Sequence, residues 1–223
     1  MQVSAHSDRN GREHNEDSYV VERIEERWLL AVADGLGGHA AGEVASRLAI
    51  VELTESLKRE VSLKEAVMRA NQEVHELSHH RPEYWGMGTT IVCALVDEQG
   101  RGEVANVGDS RAYLLTDHLA RITRDNSLVQ ELVKLGEITE EEAFSHPMKN
   151  IVTRAIGLDE KVEVDIYDVD GGVLLLCSDG LTDNLRDEEI EVLLKKGEDA
   201  RGLVEAAKER KVSEDNITVI VAR

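Results

Sequence analysis

Four aspartates in this chain stand at the borders of apolar runs, and their placement constrains the fold more than any other feature. Asp34 closes Trp28-Leu-Leu-Ala-Val-Ala33, Asp109 follows Val104-Ala-Asn-Val-Gly108, and Asp179 follows Val173-Leu-Leu-Leu-Cys-Ser178. Asp215 precedes Ile217-Thr-Val-Ile-Val221. Such runs read as buried strands. A carboxylate at a strand end, next to Gly or a small residue, is aimed out of a packed sheet into a cleft. Several of them in one cleft repel and lose hydration. A hard divalent cation removes that penalty, and oxygen-only donors suit Mg²⁺ or Mn²⁺. The residues therefore point to a metal-dependent enzyme, its ligands scattered in sequence and gathered in space.

The 223 residues suffice for one large domain. Aromatics make up only 3%, so the core must be built from Val, Leu, Ile and Ala. The formal net charge of −19 argues against nucleic acid or an anionic membrane as partner. The N-terminus lacks a signal-peptide pattern, and no apolar stretch approaches the ~18 residues of a membrane span. We expect a cytoplasmic monomer. Cys93 and Cys177 lie in apolar runs, with no metal-ligand spacing, and read as buried free thiols.

Strand-like runs fall at about 2–7, 18–24, 27–33, 89–97, 102–108, 111–115, 161–168, 172–178 and 216–222. Helical periodicity falls at about 41–58, 62–80, 187–195 and 198–210. Clustered helices between groups of strands predict an α+β fold of antiparallel sheets covered by helices. Residues 126–157 carry short helical pieces, Gly136, Pro147 and Gly157, and read as an insertion over one edge of the cleft.

The stretch Asp34-Gly-Leu-Gly-Gly-His39-Ala40 imitates a dinucleotide fingerprint, Gly35-x-Gly37-x-x-Ala40 with Glu55 downstream. Asp34 would face the pyrophosphate, however, and oppose what a helix N-terminus favours. The glycines instead let backbone approach a metal, so that a carbonyl can ligate it. Upstream, Arg12 precedes Asn15-Glu16-Asp17; a guanidinium can grip phosphate at two points where carboxylates cannot. Neither Ser110 nor Ser178 adjoins a His base, so water is the expected nucleophile. No EF-hand loop is present to support a Ca²⁺-binding protein. A binding module without catalysis is the remaining alternative.

Six motifs occur in order: Arg12-x-x-Asn15-Glu16-Asp17, Asp34-Gly-Leu-Gly-Gly-His39-x-x-Gly42-Glu43, Gly88-Thr89-Thr90, Val107-Gly-Asp109-Ser-Arg111, Ser178-Asp179-Gly-Leu-Thr182 and Asp215-Asn216. Together, over residues 2 to 222, they resemble the metal-dependent PP2C-type (PPM) serine/threonine phosphatases in their short bacterial form. The resemblance implies a four-layer α/β/β/α sandwich, two antiparallel sheets flanked by helices, with two Mg²⁺ or Mn²⁺ ions at one end. Asp34 would bridge the ions and serve catalysis with the phosphate-binding Arg12. Asp179 and Asp215 would complete one site; Asp17 and the Gly35 carbonyl would serve the other. Asp109 would join Asp179 around a third ion. Glu16 is a neighbour without a fixed role, and His39 is a candidate proton carrier. Residues 126–157 would form the mobile flap. Asn126 stands where many members carry His, which places that residue's positioning role in question. The implied reaction is hydrolysis of phosphoserine and phosphothreonine on proteins by metal-activated bridging water, without a covalent intermediate. The implied partners are phosphorylated proteins and a cognate Ser/Thr kinase.

Overall fold

The structure is a computed structural model and describes residues 1–37 and 40–223. The strands are β1 (Val3–Asp8), β2 (Asp17–Ile24), β3 (Arg27–Leu36), β4 (Gly88–Thr89), β5 (Ile91–Val96), β6 (Arg101–Val107), β7 (Arg111–Leu115), β8 (Leu119–Arg121), β9 (Asp165–Asp170), β10 (Val173–Cys177) and β11 (Ile217–Ala222). The helices are α1 (Ala40–Lys58), α2 (Leu63–His80), α3 (Leu128–Leu135), α4 (Glu140–Phe144), α5 (Asp179–Thr182), α6 (Asp187–Lys195) and α7 (Ala200–Arg210). One antiparallel sheet runs β1-β11-β10-β7-β8; the other runs β2-β3-β5-β6-β9, with β4 added at the end of β3.

Side-chain alternation builds the four expected layers. On β3, Leu29, Ala31 and Ala33 pack under α1 and α2, while Leu30 and Val32 point into the gap between the sheets. On β10, Leu174 and Leu176 enter that same gap, while Leu175 and Cys177 pack under α6 and α7. Both faces of these central strands are buried, so their sequences read as unbroken apolar runs rather than alternating ones. Truncating one such residue, Leu30 or Leu176, to Ala would cost about 2–5 kcal/mol.

Antiparallel pairing explains why one aspartate starts a strand while others finish theirs. Neighbouring strands run in opposite directions, so the start of β2 and the end of β3 lie on one edge, with Asp17 opposite Asp34. The end of β10 and the start of β11 share that edge, linked by Ser178 N–H to the Thr218 carbonyl at 3.0 Å. Asp34 is not the last residue of its strand, as the sequence suggested. Gly35 and Leu36 continue it by pairing with Thr89 and Gly88. The predicted strand at 161–168 shifts to Asp165–Asp170. Val162 and Val164 are apolar because they pack beneath the first helical layer.

Residues 126–157 hold α3, α4 and irregular backbone. The ends of this excursion are tied together: Leu128 N–H donates to Ile151 O at 2.8 Å, and Thr153 N–H to Asn126 O at 2.8 Å.

Candidate active site

A cavity of about 260 Å³ at the shared edge is lined by Arg12, Glu16, Asp34, Gly35, Asp109, Asp179 and Asp215. Asp17 sits directly behind it, paired in register with Asp34. Seven of the nine expected site residues thus line one cavity and an eighth abuts it; His39 lies outside the described residues. Asn150 and Val152 of the 126–157 excursion complete the wall.

Each carboxylate is placed by a specific brace. Asp34 N–H donates to Thr90 Oγ1 at 3.0 Å, and its carbonyl accepts from Thr89 Oγ1 and Thr90 N–H, both at 2.8 Å. Asp17 Oδ2 accepts from Ser178 Oγ at 2.8 Å, and Ser178 Oγ accepts from Thr218 N–H at 2.9 Å. That hydroxyl ties one sheet to the other through a carboxylate. Asn216 accepts from Glu16 N–H at 2.8 Å and donates to the Arg9 and His14 carbonyls, fixing the segment that carries Arg12 and Glu16. Gly35 permits this crowding: a Cβ there would collide with the Gly42 carbonyl.

The electrostatics are those of a strongly anionic cleft. Burial first, then Asp17, Asp179, Asp109 and Asp215, pushes Asp34 well above the usual carboxylate range. Asp179 is raised in the same way, first by burial and then by Asp109 and Asp183. Burial also raises Asp17 to about 6 and Asp109 to about 7, with Asp215 and Asp125 respectively adding to the shift. Among the described residues, Oδ1 of Asp17 and Oδ1 of Asp179 are buried with no hydrogen-bond donor. A buried, partnerless carboxylate oxygen is costly unless something positive reaches it.

The donor set fits a hard divalent cation: all oxygen, several carboxylates, and two oxygens awaiting a partner. Among the described residues no three His, Cys, Asp or Glu side chains form a preformed cage. Mg²⁺ usually keeps several waters of its own instead of sitting in an all-protein cage, so a preformed cage is not what such a site requires.

The roles of Ser178, Thr89 and Thr90 were not legible from spacing alone. Asp183 was missed altogether; its position four residues after Asp179 was the available signal. Its field reaches both Asp109 and Asp179, and Lys149 contacts it at 2.6 Å.

The family model of protein phosphatase 2C matches residues 5–212. The chain belongs to the protein phosphatase 2C family. The serine/threonine phosphatase stp of Listeria monocytogenes is 42% identical over 229 residues, 94% of this chain and 90% of that protein. The serine/threonine protein phosphatase PstP of Mycobacterium tuberculosis is 41% identical over the whole chain, which spans 45% of its length. The crystal structure of phosphatase Stp1 from Staphylococcus aureus superposes with a TM-score of 0.91 at 37% identity, covering 100% of this chain and 94% of that one. The catalytic domain of PstP, solved with two manganese ions, superposes at 0.83 and 37% identity, covering 99% and 96%. The resemblance read from six motifs is therefore borne out, and the sandwich expected of a PP2C-type phosphatase is the one observed.

Proposed function

We propose that this PP2C-family protein hydrolyses phosphoserine and phosphothreonine monoesters on proteins, using a pair of Mn²⁺ or Mg²⁺ ions held in the carboxylate cleft. The observation that carries this reading is the set of buried and half-buried aspartates in one cleft, two of which, Asp17 and Asp179, keep a buried oxygen with no hydrogen-bond donor among the described residues. Asp34 would hold both ions, Asp17 and the Gly35 carbonyl would help hold one of them, and Asp179 and Asp215 the other. Asp109 and Asp179 are assigned to a third. Bound ions of this kind lower the pKa of water and offset charge on a phosphoryl group.

The chain's own residues supply orientation and charge. Arg12 pairs with Asp215 at 2.9 Å, and its side chain is 57% exposed, so it can turn its free face to phosphate at the mouth. That contact would hold the phosphoryl oxygens and offset their charge as the ester bond breaks. Among the described residues no side chain is set up as the nucleophile. Burial raises the Cys93 thiol to about 12 and drives Cys177 higher still. The Ser178 hydroxyl is committed to Asp17. Water therefore attacks, without a covalent intermediate. His39 and Glu16 remain assigned as a candidate proton carrier and a neighbour of the site.

We read residues 1–223 as one catalytic domain with 126–157 as its flap. In the cell it would act as a cytoplasmic monomer against the substrates of a Ser/Thr kinase, and on that kinase. Among the described residues no helix is long and apolar enough to cross a membrane. Release of phosphate from p-nitrophenyl phosphate and from a phosphothreonine peptide tests the reading. Activity should vanish in EDTA and return with Mn²⁺ or Mg²⁺; full turnover in thoroughly chelated protein would overturn it.

A further inference from the structure

The carboxylate cleft opens sideways into a second cavity of about 260 Å³, between the 126–157 excursion and the start of α6. Asp109, Asn150 and Asp179 belong to both. The walls of this groove carry eight carboxylates and only four cations. Each cation is already engaged. Arg111 holds Asp125 at 2.6 Å, Arg121 lies 3.7 Å from Glu140, Lys149 holds Asp183 at 2.6 Å, and Arg186 lies 3.3 Å from Glu141. With Asp109 and Asp179 given to the cleft, the groove still has more carboxylates than cations. The surplus lies at the start of α6, where Glu188 is exposed and Asp187 accepts from the Tyr113 hydroxyl at 2.9 Å.

The groove also has an apolar side. Phe144 and Leu185 line it, and the Arg186 guanidinium sits 4.7 Å from the Phe144 ring centroid while its head pairs with Glu141. The chain's own arginine thus shows how this groove holds a long cationic side chain, ring beneath and carboxylate at the tip.

We propose that this groove seats an Arg or Lys side chain of the phosphoprotein substrate, on one side only of the phosphorylated residue, with Glu188 and Asp187 as its countercharge. The proposal rests on the phosphatase reading above. A phosphoresidue in the cleft leaves residues two to four positions away within reach, since an extended chain advances about 3.3–3.6 Å per residue. The net charge of −19 would draw basic peptides from any direction. That general field cannot tell one flank from the other; a groove on one side of the cleft can.

The test uses the full chain with Mn²⁺ at about 0.15 M salt, where distant charges are largely screened. Three phosphothreonine peptides are compared: two arginines N-terminal to the phosphoresidue, two C-terminal, and none. One arginine placement should raise kcat/KM about tenfold over the neutral peptide, and the other should stay within about twofold. Glu188→Lys should remove most of that preference. Glu73→Lys, on the exposed face of α2 with the same change in net charge, should keep it. Thermal melts confirm that both variants are folded. Equal gains from both placements, or equal losses in the two variants, would overturn the groove and leave only the general field. The p-nitrophenyl phosphate assay separates the two readings. No turnover by the wild-type protein with Mn²⁺ refutes the phosphatase reading, whereas turnover without any flank preference refutes the groove alone.

Discussion

Asp17 and Asp125 are equally buried, each 8% exposed, and the chain treats them in opposite ways. Asp125 is closed by its own protein. Arg111 donates to both of its oxygens at 2.6–3.0 Å, and Arg121 stands 3.8 Å away. Asp17 accepts from the Ser178 hydroxyl at 2.8 Å and keeps its other oxygen with no donor among the described residues. Asp215 adds negative charge beside it, and Asp17 in turn raises Asp34 and Asp179. Burial of a carboxylate does not by itself identify a ligand. What separates the two clusters is whether the sequence supplies the cation. Around Asp125 it does, at both oxygens, and the result is structural; around Asp17 and Asp34 the described residues bring only the exposed Arg12, paired with Asp215, and the result is a site that cations from solution can complete.

The contrast can be broken most forcefully at Asp125. Asp125→Ala strands the largely buried Arg111 guanidinium and should cost about 3 kcal/mol of stability, read by denaturant unfolding. A loss near zero would mean that the two clusters are not different in kind. Asp34→Asn should act the other way. It removes one of several like charges and so should not destabilise metal-free protein. Turnover of p-nitrophenyl phosphate should nevertheless fall by at least ~10²-fold. A variant with near-normal turnover would remove Asp34 from the centre of the site.

Arg12 sharpens the comparison, since among the described residues it is the one cation that lines the cleft, and it is exposed. Arg12→Ala should lower kcat/KM about tenfold, the range expected for losing a charge-assisted hydrogen bond. Lys should rescue only in part, because it lacks the planar two-point contact. Unchanged kinetics would place Arg12 outside the site.

A smaller effect should appear in chelated protein as a function of pH. Asp17, at about 6, and Asp109, at about 7, are both raised from an ordinary 3.8. Between those limits the folded state holds more protons than the unfolded one, so stability falls as pH rises through 6–7. Melting temperature in EDTA should be roughly 2–8 °C higher at pH 5.5 than at pH 8. A flat profile would show that these carboxylates are not strained by their surroundings.

Much of this was legible in the sequence, for a physical reason. Strands buried on both faces are written as continuous apolar runs, and an acid that interrupts such a run is conspicuous. Asp34, Asp109, Asp179 and Asp215 were found in that way. What stayed hidden depends on partners far apart in the chain. Ser178 meets Asp17 across 161 positions, and Tyr113 meets Asp187 across 74; no local pattern records either contact. The three-residue edge strand β8 is too short for a period to show, and α5 spans only four residues. The pairing of Arg111 with Asp125 was equally invisible, although Arg111 itself stands in a recognised motif.

The central claim is that the Asp34 cleft, unlike the Asp125 cluster, is completed by cations from outside. Melting temperature with and without Mn²⁺ tests it most directly, measured on wild type and on Asp34→Asn. At free Mn²⁺ of ~100 times its dissociation constant, one site adds about 2.7 kcal/mol. For a domain of this size that corresponds to roughly 5–11 °C. Wild type should show that rise, and Asp34→Asn should show well under half of it. An equal rise in both proteins would mean that Mn²⁺ acts on diffuse surface charge and would contradict the account.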